Sequence, residues 1–122
     1  EVLGGSLPYV PNTLAILFTA QAPVDGSRTL SGRAGRSWVI VWVKPDNVPG
    51  PIPEHILLHE ILHEFGVPHQ QNPNSVMCNG LIIKTCPTDI MTIDPYSISL
   101  LKGSVNLIKR IGFDTYTGIA TR

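Results

Sequence analysis

Apolar residues gather in a few places along the chain, and their spacing differs from place to place. Leu14 to Thr19 (LAILFT) is a short apolar run of strand length. Ser37 to Val43 (SWVIVWV) is a second run, rich in β-branched and aromatic residues. It is continuous rather than alternating, as expected of a strand covered on both faces. Between the two, Ala20 to Arg36 is rich in Gly, Ser and Arg. That stretch predicts a turn at Pro23 to Gly26, then a loop or weak edge strand from Arg28 to Ala34. Lys44 to Pro53 holds four prolines and a glycine and must be a loop.

From Pro53 onward the period becomes helical. Pro53 suits a first helical turn, where its missing N–H costs nothing, and Glu54 favours the positive end of the helix dipole. Ile56, Leu57, Ile61, Leu62 and Phe65 form an apolar stripe, and Gly66 stands where a helix would stop. Pro53 to Phe65 is therefore predicted helical. Pro68 to Asp94, rich in Asn, Pro, Thr and Ser, predicts an irregular loop region, and a loop that long in a compact domain is usually functional. Tyr96 to Ile111 carries Ile98, Leu101, Val105 and Ile108 at helical spacing, which predicts a second helix despite Gly103. No period is legible after Gly112.

No repeat, low-complexity tract or linker divides the 122 residues, so residues 1–122 are expected to form a single domain. Hydrophobic residues make up 43% and charged residues 15%, the balance of a folded chain. Nine basic and nine acidic residues cancel, and no basic stripe argues for nucleic acid. No apolar run approaches the ~20 residues of a membrane span. A monomer is expected. The chain begins at Glu1 rather than Met, as a processed product would, and a secreted location is favoured over an intracellular one. Cys78 and Cys86 lie eight positions apart and allow either a local disulfide or two free thiols.

The segment His59 to His69, HEILHEFGVPH, carries the chemistry. His59 and His63 are four apart, one turn along a helix face, so both imidazoles can reach one metal ion. Glu60 lies about 100° around the helix from His59. It is badly placed for a ligand and well placed to serve as general base to a water on the metal. Gly66 ends the helix and permits a sharp bend, Pro68 stiffens it, and His69 returns as a third ligand. Three neutral imidazoles with one position left for water make the open site of a catalytic zinc rather than a closed structural one. The bland alternative is a set of ordinary helix-surface histidines. Three of the chain's four histidines fall in this register, which argues against it.

HEILHEFGVPH resembles the HExxHxxGxxH signature of the metzincin clan of zinc peptidases. NPNSVM, ending in Met77, is similar to the Met-turn of the matrixin branch. Met91, in TDIMT, is the less favoured Met-turn, and either methionine could instead fill a core gap. The resemblance implies strands, an active-site helix, a Met-turn and a C-terminal helix. It implies further that Arg28, Leu30, Gly32 and Ala34 belong to an edge strand that binds an extended peptide by strand addition, where the plain alternative is a surface loop. The stretch before Pro53 is short for that clan, so a reduced N-terminal part is expected.

Other residues carry competing readings. His55 shares the His59 face and is either an alternative ligand or a solvated rim residue. Cys78 could cap the metal as a thiolate. Glu64 is expected to face the helix dipole or solvent. The expected fold is α+β, a small twisted mixed sheet with an antiparallel edge strand, an active-site helix and a C-terminal helix. The expected activity is zinc-dependent hydrolysis of peptide bonds in a peptide or protein substrate, with one catalytic zinc ion and Glu60 as base. The alternative is a non-catalytic zinc-binding interaction module derived from a peptidase.

Overall fold

A computed structural model describes residues 10–80 and 86–120. Over those residues it is a small α+β fold with two sheets and three helices. The strands are β1 (Ala15–Thr19), β2 (Val24–Asp25), β3 (Arg28–Thr29), β4 (Gly32–Gly35) and β5 (Trp38–Trp42). The helices are α1 (Pro53–Glu64), α2 (Pro95–Ile111) and α3 (Phe113–Ala120).

The two apolar runs become neighbours. β1 pairs in parallel with β5, Ala15 opposite Trp38 and Thr19 opposite Trp42. β5 is the middle strand, with β4 antiparallel on its other side. Val39, Ile40 and Val41 are all buried, as a continuous rather than alternating run requires. The predicted stretch Arg28 to Ala34 is not one strand. β3 pairs back onto β2 in a two-stranded hairpin, and only Gly32–Gly35 joins the main sheet. A turn at Arg36 and Ser37 connects β4 to β5, with Ser37 at φ 64°.

Helix α1 is packed on two sides. Ile56 meets Val39 and Val41 of β5. Leu62 meets Val67, Val76 and Met77 of the following loop, with Leu100 and Leu101 of α2 against them. Gly32 lets the sheet approach: a Cβ there would strike Ile56 and come within 3.0 Å of the Glu60 side chain. The second helix begins one residue earlier than its apolar spacing predicts, because Asp94 caps it by accepting from Ser97 N. Its inward face runs through Ser97, Leu101 and Ser104, so Ile98 is exposed. Helix α3 was not legible in the sequence. It docks on the β4–β5 turn, where Thr117 bonds to Ser37, and on residue 12, where Asn12 and Asp114 bond to each other twice. No helix among the described residues is long and apolar enough to cross a membrane.

Candidate metal centre

The α1 register carries His59 and His63 on one face, and the helix ends where Gly66 takes φ 77°. A side chain at that φ would be strained, and its Cβ would lie 2.7 Å from Tyr116 Oη. The bend returns His69 to the histidines of α1. The three Nε2 atoms form a nearly equilateral triangle: 3.2 Å from His59 to His63, and 3.1 Å from each of them to His69.

Hydrogen bonds at the far side of two rings decide what the triangle can hold. His59 Nδ1 donates to Val76 O at 2.8 Å, and His63 Nδ1 donates to Val67 O at 2.9 Å. A carbonyl only accepts, so each Nδ1 carries the hydrogen and each Nε2 offers a lone pair. Lone pairs meeting at 3.2 Å repel unless something positive lies between them. A proton can bridge only two of three atoms. A metal ion with N–metal bonds of about 2.0–2.1 Å satisfies all three, since its tetrahedral edge is about 3.3 Å. His59, His63 and His69 could thus hold a metal ion, and no second cluster of three such groups occurs among the described residues.

Burial keeps the ligands neutral. It lowers His59 to a pKa of about 3, helped by the neighbouring imidazoles, and His63 to about 4. His69 is lowered by burial too. Burial acts oppositely on carboxyls: Glu60 is pushed up to about 8, by desolvation and then by Glu64, and Glu64 is pushed up to about 7.

The other expected site residues are distributed as follows. Glu60 is buried between α1 and Gly32, on the wall of a cleft of about 510 Å³ that also contains the three histidines. Arg28, Leu30, Gly32 and Ala34 all line that cleft, but Arg28 belongs to β3 and Leu30 lies between strands, so only Gly32 and Ala34 stand on the sheet edge. Met77 is fully buried beside Leu62 and next to the carbonyl that holds His59, whereas Met91 is 45% exposed.

Three expectations need correction. Glu64 does not face solvent: it is 1% exposed and accepts from Ser37 N at 2.9 Å, tying α1 to the β4–β5 turn. His55 is not a ligand but a residue of the cleft wall. It is buried and donates from Nδ1 to Ile90 O at 2.7 Å. Cys78 is bonded to Cys86, which removes the thiolate reading.

Sequence reasoning also missed the buried knot that holds the Met77 loop. Asp94 Oδ1 accepts from Ser75 and Ser97, and Ser75 Oγ accepts from Met77 N. Burial pushes Asp94 up, but these bonds and that from Ser97 N outweigh it and hold its carboxyl below the usual range. Asp94–Pro95, a cap followed by proline, was the available signal. Comparison of the chain with protein-family models, with curated proteins and with solved structures finds no match.

Proposed function

We propose that this chain is a zinc-dependent endopeptidase of metzincin type, with zinc held by His59, His63 and His69 and Glu60 as general base. The observation that carries the reading is the Nε2 triangle with a buried carboxyl beside it on an open cleft. Three neutral imidazoles suit zinc, and they leave the ion its full charge. Zinc, when bound, would supply the charge that polarises a scissile carbonyl and acidifies the attacking water.

The chain's own residues do the rest. Glu60 takes a proton from the attacking water and returns it to the leaving amine. Strand β4 is the edge of its sheet and borders the cleft, so an extended peptide can lie along it by main-chain pairing. The Cys78–Cys86 disulfide also lines the cleft, and a disulfide there suits an oxidising compartment.

The test is cleavage of denatured casein by zinc-loaded protein. Cleavage should stop with chelator and return with zinc. Glu60→Gln should keep one zinc per chain and lose about 10²–10⁴-fold in turnover. A Glu60→Gln protein that cleaves at the unaltered rate would overturn the mechanism.

A further inference from the structure

His55 is the one histidine outside the ligand set, and it is 8% exposed. Its Nδ1 donates to Ile90 O, so in the neutral ring the hydrogen is on Nδ1 and Nε2 carries a lone pair. Nε2 has no partner among the described residues. Yet no buried side-chain nitrogen or oxygen among the described residues lacks one. Nε2 must therefore reach the surface, and the surface His55 lines is the cleft.

Its orientation repeats that of the first ligand. The rings of His55 and His59 stack at 6.3 Å with planes 20° apart. Both are anchored through Nδ1 to carbonyls of the chain between α1 and α2, at Ile90 and Val76. His55 thus presents to the cleft what His59 presents to the metal, one helical turn earlier. At a centroid separation of 6.3 Å it stands about two residues of extended peptide from His59.

We propose that His55 Nε2 accepts a hydrogen bond from an N–H or O–H donor of the bound peptide and so positions substrate on the side of the cleft before His59. This rests on the peptidase reading. An acceptor held in place on the cleft wall discriminates against a substrate group that has nothing to donate. It makes His55 a positioning residue, with no part in proton transfer.

Two substitutions separate this from a packing role. His55→Asn keeps a donor near the Nδ1 place for the Ile90 carbonyl and removes the cleft-facing atom. His55→Gln keeps an amide near the Nε2 place, whose oxygen can still accept. Casein cleavage products first define a short peptide substrate. His55→Asn should then raise KM about three- to tenfold with kcat and zinc content unchanged, and His55→Gln should restore most of the loss. The peptide's dissociation constant on a Glu60→Gln background should rise by the same factor. Peptides with one N-methylated amide, and peptides with one side-chain donor removed, identify the donor: the His55→Asn effect should vanish in one series.

Equal losses in the two variants, a silent His55→Asn, lost zinc, or an effect that survives in both peptide series would each overturn the proposal. Absence of chelator-sensitive cleavage by the unaltered protein would instead overturn the peptidase reading beneath it.

Discussion

At the residue scale, the candidate metal centre is a set of three converging imidazoles, two of them aimed by backbone carbonyls. The spacing of His59, His63 and His69 was legible because ligands four apart on a helix, then a glycine bend, form a pattern of side-chain identities. The carbonyls of Val67 and Val76 were not, because any residue carries one. Glu64 was misread for a related reason: a glutamate after a helix-face ligand looks like surface until its partner, the Ser37 N–H, is known. Glu64→Ala leaves that N–H unsatisfied and should cost about 1–3 kcal/mol in denaturant unfolding, whereas Glu64→Gln keeps an acceptor and should cost less.

The same groups give the metal-free protein a stability plateau. A carboxyl with a raised folded pKa stabilises below its ordinary value of 4.5, and the effect fades as pH rises through about 7 for Glu64 and 8 for Glu60. A histidine with a lowered folded pKa stabilises above its ordinary 6.5, and the effect fades as pH falls through about 4 for His63 and 3 for His59. Between 4.5 and 6.5 the two trends oppose each other. Thermal unfolding in chelator should therefore give the highest Tm in that window, with losses on both sides. A Tm that climbs steadily to pH 8 would contradict the burial described for Glu60.

At the element scale, β1, β5, α1 and α2 follow from apolar runs and helical periodicity. The β2–β3 hairpin did not, and β4 was legible only as part of a weak edge strand over Arg28 to Ala34, since strands of two to four residues are too short to show a period. Helix α3 is recognisable only by what it touches. Its Tyr116 donates to Ser104 Oγ at 3.0 Å, and Ser104 donates to Phe65 O at 2.6 Å, so α2 and α3 together close the end of α1. Gly66 sits at that closure. Gly66→Ala must hold a left-handed φ and displace Tyr116, which should cost about 1–3 kcal/mol and weaken zinc binding through His69. Isothermal titration with zinc, beside a denaturant curve, measures both; unaltered affinity would show that the bend does not govern the third ligand.

At the scale of the whole molecule, the candidate ligands come from α1 and the bend after it, while their supports come from the loop beyond and from both later helices. Zinc binding should therefore stabilise the entire chain. At a free zinc concentration 100 times its dissociation constant the gain is about 2.7 kcal/mol, and chelation should lower Tm in one cooperative step. Two separate transitions, only one of them zinc-sensitive, would show that the centre is not coupled to the sheet.

The clasp of Tyr116 on the bend at Gly66 also bears on the order in which the candidate centre can assemble. Synthesis runs from the amino end, so the histidines leave the ribosome well before Tyr116 does. Until then the bend lacks its brace, and the third imidazole is not held against the other two. Under the proposed function, a nascent or truncated chain that lacks α3 should scavenge metal poorly and cut its neighbours poorly until that helix docks.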